Sequence, residues 1–280
     1  MSLCVQVDGA KQFKLSDFNN SDTHGYDHIS GEAKTLELAA ELAILIDLMF
    51  AASQHSLLIV LQGMDTSGKD GLIRHLLSYM NPQSATVTPF KAPTPEELSH
   101  DFLWRVHKRT PERGHVAIFN RSHYEDVLIA RVHKHISDEV INRRYDQINA
   151  FEQMLVDSNT IVLKLCLFIS KEEQHARLCA REQEPSKFWK LSVGDWQERE
   201  YWHKYEEAYE LAINRCSSKH IPWNIVAANH KWFRTLAATE AIVHAMRPYM
   251  STWSTALEEL GQRALAEIRA YRNSTEKLSQ

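Results

Sequence analysis

Short apolar runs alternate with amphipathic stretches along most of the chain. Five runs have the length and continuity of buried strands: residues 56–62, 84–90, 115–120, 160–169 and 223–228. Such runs are typical of parallel strands that are covered on both faces. Between and after them lie stretches with helical periodicity: residues 69–80, 94–109, 138–157, 171–181, 196–214 and 231–246. This alternation predicts an α/β fold, with a parallel sheet of about five strands and helices on both faces.

Further segments flank this alternation. Residues 32–52 are nearly apolar at helical spacing, which predicts a deeply packed helix. Three acidic residues interrupt the apolar stretch at residues 36–50, whereas a bilayer span needs ~20 predominantly apolar residues, so we expect no membrane segment. Residues 1–30 are polar and irregular and predict an N-terminal arm, while residues 250–280 predict a C-terminal helix. Since the sequence contains no repeat or linker, we predict a single domain over residues 1–280.

Composition narrows the class of protein. The net charge is −4, so we expect no nucleic-acid binding through bulk positive charge, and any polyanion must be held by a local basic site. The N-terminal residues lack the long apolar core of a signal peptide. The four cysteines lie far apart and form no CxxC pair, which indicates reduced thiols and a cytoplasmic protein.

The first predicted strand runs into a glycine-rich loop, GMDTSGKDG. Gly63, Gly68 and Lys69 match the GxxxxGK spacing of a phosphate-binding loop that opens a helix. Glycines let successive backbone N–H groups turn towards a phosphate, and the helix N-terminus adds partial positive charge. The alternative is a strand–turn–helix in which the glycines serve geometry alone. We predict phosphate contacts from Gly63, Thr66, Ser67, Gly68, Lys69, Asp70 and Gly71.

The loop departs from the usual pattern at Asp70, where Ser or Thr normally binds Mg²⁺. A carboxylate supplies the hard oxygen ligands that Mg²⁺ prefers, and Asp65 inside the loop is a second candidate. Because Asp65 among phosphates is repulsive unless a cation lies nearby, the sequence predicts Mg²⁺ as a cofactor.

Polar residues follow the third predicted strand in the stretch IFNRSHYEDVL. Ligands of open α/β sheets bind at the carboxyl ends of the strands, which places Asn120, Arg121, Glu125 and Asp126 near the glycine loop. Arg121 is suited to clamp a transferring phosphoryl group, and the two acids to hold a metal or orient an accepting oxygen. The stretch is also typical of a helix start, with Ser122 as N-cap and Glu125 completing a capping box; both interpretations hold together.

Five motifs taken together resemble the polyphosphate kinase 2 family. They are GMDTSGKDG, FKAPTPEEL, FNRSHYEDVL, PSKFWKLSVGDWQEREYW and PWNIVAANHKW, in this order along the chain. The FNRSHYED form looks like the class III branch, in which Asn120 and Glu125 stand where other branches carry Asp and Asn. In the last motif, Ala227 and Asn229 replace the Pro and Asp that the family usually has.

The resemblance implies a P-loop kinase fold similar to thymidylate kinase, with a helical lid. It implies Mg²⁺-dependent, reversible phosphoryl transfer between inorganic polyphosphate and the nucleotides AMP, ADP, GMP and GDP, by a homo-oligomer (tetramer or dimer). By motif position, Asp65 and Lys69 correspond to the metal-handling aspartate and the phosphate-binding lysine of the loop. Arg121 corresponds to the arginine after the Walker B-like strand.

A basic segment at residues 177–200 predicts a mobile lid that excludes water and completes the charge clamp. Its cations with expected ligand contacts are Arg177, Arg181, Lys187 and Lys190. Lys91, after the second strand, is expected at the same edge of the sheet. Interleaved glutamates leave a solvated helix face as the alternative for the lid cations. Trp189 and Trp196 are expected to pack in the core or the lid.

A second basic group precedes the lid. It consists of Arg131, Lys134, Arg143 and Arg144. A long polyphosphate needs cations beyond the reacting centre, and binding through them weakens steeply with salt. The group is either such a track or plain surface.

These inferences define the expected site. The catalytic residues are expected to be Asp65, Lys69, Arg121, Glu125, Asp126 and Arg181. Mg²⁺ is expected on Asp65 and Asp126, and the nucleotide on Asn120, Arg121 and Glu125. One alternative is an ATP-dependent small-molecule or nucleotide kinase on the same fold, and another is a non-catalytic polyphosphate- or nucleotide-binding regulator.

Overall fold

The computed structural model describes the backbone of residues 2–278 and the side chains of residues 2–273. Its strands are β1 (Val5–Val7), β2 (Ser56–Gly63), β3 (Ala85–Pro89), β4 (Val116–Asn120), β5 (Thr160–Phe168) and β6 (Trp223–Ala227). Its α-helices are α1 (His28–Ala52), α2 (Lys69–Leu77), α3 (Pro95–Leu98), α4 (Trp104–His107), α5 (Glu125–Val132), α6 (Asp138–Asp157), α7 (Lys171–Glu182), α8 (Val193–Glu200), α9 (Trp202–Arg215), α10 (Lys231–Met246) and α11 (Met250–Leu278).

One mixed sheet of six strands, in the order β1-β6-β5-β2-β4-β3, forms the centre of the fold. Strands β2 to β6 pair in parallel, which confirms the predicted α/β class and the five predicted strands. Every residue of β2 and β5 is buried. Both strands are mostly apolar without alternation because both of their faces are covered, whereas an alternating pattern suits strands with one wet face.

The strand β1 was not predicted. It pairs antiparallel with β6, with Val5 opposite Ile225, so the N-terminal arm contributes an edge strand. Three residues, two of them exposed, carry too little periodicity to indicate a strand by themselves. The sheet is therefore mixed and not purely parallel.

Two of the predicted helices are interrupted. The stretch 94–109 holds the short helices α3 and α4, separated by a turn in which the Asp101 carboxylate accepts the N–H of Leu103. The stretch 196–214 is divided at Tyr201 between α8 and α9. At Asp101 the side-chain hydrogen bond competes with a continuous helix.

The two outermost predicted helices are present. One face of α1 is buried, and Gly31 on it packs so closely on the Trp232 ring that a Cβ would lie 2.4 Å from a ring carbon. Helix α11 buries Trp253 but exposes Leu260, Leu265 and Ile268. Of the helices in the described part of the chain, none has the length and apolarity needed to cross a membrane.

The parallel strands bring several loops to one edge of the sheet. Strand β2 leads into the glycine loop, and β4, paired with it so that Asn120 lies beside Leu61, leads into Arg121. Strand β6 ends beside Phe168 of β5 and leads into the loop before α10. Because carboxyl ends of parallel strands share an edge, all three loops meet there.

Candidate functional site

The glycine loop has a backbone that only glycine fits well. Gly63 and Gly68 have φ values of 145° and 99°, a region that side chains with a Cβ avoid. A Cβ on Gly63 would lie 2.4 Å from the Leu167 carbonyl oxygen, and one on Gly68 would lie 1.9 Å from an Arg234 nitrogen. Gly68 is also the N-cap of α2, so the loop ends at the positive end of a helix dipole.

Lys69 lies folded back onto this loop. Its Nζ donates to the carbonyl oxygens of Gly63 at 2.7 Å and Met64 at 3.2 Å. Burial, and next to it the charge of Arg121, lower the pKa of Lys69, whereas Asp65 and other acids oppose the shift. Phosphate oxygens can replace these two carbonyl oxygens as the acceptors of the Lys69 hydrogen bonds.

Arg121 lies across the loop from Lys69, as the sequence predicted. Its guanidinium donates to Asp65 at 2.5 Å and to Glu125 at 3.2 Å. Burial lowers the pKa of Arg121, but Glu125 and Asp65 together raise it above its ordinary value. Burial raises the pKa of Glu125, with the cations Arg121 and Lys69 opposing. The result is a compact cluster of two cations and two carboxylates at the mouth of the loop.

The predicted capping box at Ser122 is not formed. Helix α5 begins at Glu125 without a side-chain cap, and the Glu125 carboxylate binds Arg121 instead. The Ser122 hydroxyl accepts the N–H of Tyr124 at 3.2 Å and donates to the side-chain oxygen of Gln62 at 3.0 Å. The charged partner was a stronger competitor for Glu125 than a backbone N–H.

Asp126 does not join Asp65. Its carboxylate lies 3.8 Å from Arg105 and 3.7 Å from Arg144. Burial raises the pKa of Asp126, and the two arginines oppose the shift. Among the described side chains no group of three or more His, Cys, Asp or Glu could hold a metal ion. Asp126 thus has two cationic neighbours, and the assignment of Mg²⁺ to Asp65 and Asp126 stays a prediction.

Asp70 connects the loop to β4 and to the lid. Its carboxylate accepts from the Asn120 amide at 3.0 Å and from Lys190 at 2.7 Å. The hydrogen bond from Lys190 is the main cause that lowers the pKa of Asp70. Asn120 and Lys190, both predicted from the sequence, thus reach the glycine loop.

The lid consists of α7, the 3₁₀ helix Pro185–Lys190 and α8. Arg177 is buried and fixed, since it donates to the carbonyl oxygens of Thr66 at 2.9 Å and Ala228 at 2.7 Å. Arg181 pairs with Asp195 at 3.0 Å. Arg177 therefore holds the backbone of the glycine loop, whereas Arg181 is bound to a carboxylate that an anionic ligand can replace.

Other predicted lid and edge residues are more exposed. Lys187 pairs with Glu184, and Lys91 is exposed after β3. Trp189 is 79% exposed, so the packing expectation was wrong for it. Trp196 is half-buried and meets the His175 ring edge-on, in agreement with packing.

The second basic group is largely paired. Arg131 binds Asp138 at 3.1 Å and Arg143 binds Glu139 at 2.7 Å. Arg144 donates to the Asp126 carbonyl oxygen at 2.7 Å. Lys134 lines a separate open cavity of about 590 Å³. These contacts favour the plain-surface interpretation over a polyanion track.

The sequence analysis missed Arg234 of α10. Its side chain is 6% exposed, lies against Gly68, and forms no ion pair with any described carboxylate. Its Nε has no hydrogen-bond partner among the described residues. Burial, and next to it Arg177, lower the pKa of Arg234 to about 10. An unpaired buried cation beside a helix N-terminus is an electrostatic arrangement that an anion stabilises.

Lys231 lies near this arginine. Burial lowers its pKa, and the neighbouring Arg177 and Lys187 lower it further. The signal that could have found both residues is their position directly after the carboxyl end of β6, in the stretch HKWFR.

Asn229, the departure from the family pattern, has a structural role. Its side-chain oxygen accepts the N–H of Ser170, where α7 begins, and its amide donates to Ser21 of the N-terminal arm at 2.8 Å. The amide connects arm and lid base with one donor and one acceptor, which a carboxylate cannot provide.

Comparisons with known proteins agree with this geometry. The model of the protein family Polyphosphate kinase 2 (PPK2) matches residues 25–252. An AMP/ADP-polyphosphate phosphotransferase of Meiothermus ruber is 42% identical over 246 residues, which cover 86% of this chain and 91% of that protein. An ADP-polyphosphate phosphotransferase of Rhodopseudomonas palustris is 40% identical over 245 residues, 83% of each chain. The crystal structure of a polyphosphate kinase 2 from Arthrobacter aurescens TC1 superposes with a TM-score of 0.84, at 42% identity and 88% coverage of both chains.

Proposed function

Because the chain belongs to the polyphosphate kinase 2 family, we propose that it transfers phosphoryl groups between inorganic polyphosphate and nucleotides. The acceptors are the mono- and diphosphates AMP, ADP, GMP and GDP, and the reaction is reversible and Mg²⁺-dependent. The observation that carries the proposal is the glycine loop with Lys69 folded onto it and Arg121 bound across it to Asp65. Phosphate oxygens can replace both the carbonyl oxygens that bind Lys69 and the carboxylate that binds Arg121.

In this mechanism, an oxygen of the acceptor phosphate attacks the terminal phosphorus of polyphosphate. The P–O bond to the shortened chain breaks, and the chain keeps the electron pair. Lys69 leaves the loop carbonyls and Arg121 leaves Asp65, so that both donate to the transferring group. Positioning and charge stabilisation are sufficient, and no covalent enzyme intermediate is needed.

The donor set at the loop fits Mg²⁺ held partly by substrate. Asp65 lies inside the loop, and Asp70 is the other loop carboxylate. Mg²⁺ is usually bound by one or two carboxylates together with phosphates, so two loop acids suit it without a third protein ligand. When bound, the ion neutralises charge that builds up on the phosphate oxygens. We assign Asp65 and Asp70 as its ligands in place of the pair that includes Asp126.

The unpaired cations favour a polyphosphate path over the start of α10. Arg234 and Lys231 lie beside the loop, with Lys187 and Lys190 of the lid nearby. A chain with about one negative charge per phosphate supplies the anion that Arg234 lacks. Arg181 joins the clamp when it exchanges Asp195 for phosphate.

Assembly and location are part of the same proposal. The C-terminal helix exposes Leu260, Leu265 and Ile268, which supports a homo-oligomer, either a dimer or a tetramer. Four free thiols, three of them buried, suit the reducing cytoplasm.

A nucleotide panel tests the activity. Purified protein is incubated with AMP, ADP, GMP or GDP, with and without polyphosphate and Mg²⁺, and the products are separated by chromatography. We expect product only when polyphosphate and Mg²⁺ are both present, and loss of product in Lys69→Ala. Phosphorylation that consumes ATP and ignores polyphosphate would instead identify an ATP-dependent kinase.

A further inference from the structure

One charged residue lies in the middle of the fully buried strand β5. Lys164 is the charged residue of β5, whose sequence TIVLKLCLF is otherwise apolar apart from its first threonine, and its side chain is fully buried. Its partner Glu152 on α6 is 1% exposed. Desolvating such a pair costs of the order of several kcal/mol per ion, and apolar residues of similar volume are often at least as stabilising. Core stability alone therefore does not explain these charges.

The pair is part of a closed ring of hydrogen bonds. Lys164 Nζ donates to Glu152 at 2.7 Å, to the Tyr124 hydroxyl at 3.2 Å and to the Cys216 carbonyl oxygen at 2.5 Å. The Tyr124 hydroxyl donates to Glu152 at 2.8 Å, and His123 Nε2 donates to the same carboxylate oxygen at 3.2 Å. All three ammonium hydrogens have acceptors, so the ring is rigid in the way that fully connected buried networks are.

Two residues of this hydrogen-bond network, His123 and Tyr124, belong to the turn that carries Arg121. His123 and Tyr124 are buried and lie between Arg121 and Glu125 in the chain. Arg121 has φ = 62°, a left-handed conformation that costs a non-glycine residue about 1–3 kcal/mol and persists only where the surroundings impose it. The turn therefore needs fixed contacts on its buried side if the guanidinium is to stay at the mouth of the glycine loop.

We propose that the Glu152–Lys164 pair is a positioning device for Arg121 and Glu125, acting through the Tyr124 hydroxyl. The expected effect on kcat rests on the proposed function, whereas the structural role of the pair does not. Among the described residues, no hydrogen bond or ion pair joins this pair to Arg121 or Glu125, and its hydrogen bonds to the turn go to Tyr124 and His123. Its contribution is to hold Tyr124, and with it the left-handed turn, in one position while Arg121 exchanges Asp65 for phosphate.

Tyr124→Phe is the sharpest test, because it removes the one hydroxyl that connects the turn to the pair and leaves the 2.7 Å ion pair in place. Tyr145→Phe is the matched control, since Tyr145 is a fully buried tyrosine of α6 whose hydroxyl has no hydrogen-bond partner among the described residues. We expect kcat to fall about tenfold in Tyr124→Phe, with both KM values within about twofold, and no change in Tyr145→Phe.

Hydrogen–deuterium exchange gives a second readout that does not depend on turnover. In Tyr124→Phe, amides of residues 121–128 should exchange faster, while those of α2 keep the wild-type rate. The proposal is overturned if Tyr124→Phe matches Tyr145→Phe in both kcat and exchange. It is also overturned if Tyr124→Phe lowers thermal stability but leaves the kcat of the folded protein and the exchange at 121–128 unchanged. A wild-type protein that is inactive with polyphosphate would refute the proposed function, and the exchange comparison would still decide the positioning role.

Discussion

Two basic regions of this protein differ in whether their arginines have acidic partners. In the region of Arg131, Arg143 and Arg144, each arginine contacts a nearby acid, mostly at the exposed surface. In the region beside the glycine loop, Arg234 is buried, has no acidic partner among the described residues, and lies against the N-terminus of α2. The comparison teaches that the number of cations does not locate an anion site. A cation that is buried without a counter-charge is the better indicator of such a site.

The largest expected difference between the regions comes from the loop lysine. Lys69→Ala should lower kcat with polyphosphate and ADP by about 10³-fold, because it removes a cation from the transferring group. Lys134→Ala, in the other region, should leave kcat within about twofold. Steady-state assays of ATP formation measure both. Equal losses in the two variants would remove the distinction between the regions.

A smaller effect is expected from the arginines that define the comparison. Arg234→Ala should raise the KM for polyphosphate roughly tenfold or more, since a charge-assisted hydrogen bond is worth about 1.5–3 kcal/mol. Arg143→Ala is its control, because Arg143 already binds Glu139 at the surface. The KM for ADP should change little in either variant. An unchanged KM for polyphosphate in Arg234→Ala would show that the path runs elsewhere.

Salt sharpens the same comparison. Each cation that binds polyphosphate releases counterions, so Arg234→Gln should reduce the slope of log KM against log salt concentration by about one. Arg131→Gln should keep the wild-type slope. Polyphosphate KM values at four or five salt concentrations give the slopes, and parallel lines for all three proteins would count against a contact at Arg234.

The smallest expected effect concerns a charge that is buried and paired. Although burial raises the pKa of Glu152, Lys164 and His123 lower it below the ordinary value of 4.5. Because this pKa is lower in the folded state than in the unfolded state, the ionised Glu152 stabilises the fold at pH values above 4.5. This stabilisation is lost as the pH falls through the lowered pKa of the folded state. Thermal unfolding between pH 3 and 6 should therefore show a steeper acid loss in wild type than in Glu152→Leu/Lys164→Met. The same steepness in both would refute the assigned contribution.

Much of the site was predictable because its residues follow strand ends. Lys69 and Asp70 come shortly after β2, Asn120 is the last residue of β4 and Arg121 follows it, and parallel pairing brings those strand ends together. Lys190 was predicted from lid composition, and the structure brings it to Asp70.

Other expectations depended on which of several available partners a charged side chain binds. Asp126 was paired with Asp65 because the strand end places them near each other, but it binds Arg105 and Arg144. Glu125 was given a backbone partner and binds Arg121. Arg234 was overlooked because the significance of a buried arginine depends on a missing acid, and spacing along the chain does not reveal that.

The sequence by itself determined the α/β class, the glycine loop and the family resemblance, because these depend on local periodicity and on residues close together in the chain. Tertiary structure alone decided which charges are paired, which remain buried without a partner, and that Lys164 of β5 reaches the turn behind Arg121. The physical reason is that the free energy of a charge depends on its solvation and on its nearest opposite charge. Both are set by packing between segments that lie far apart in the sequence.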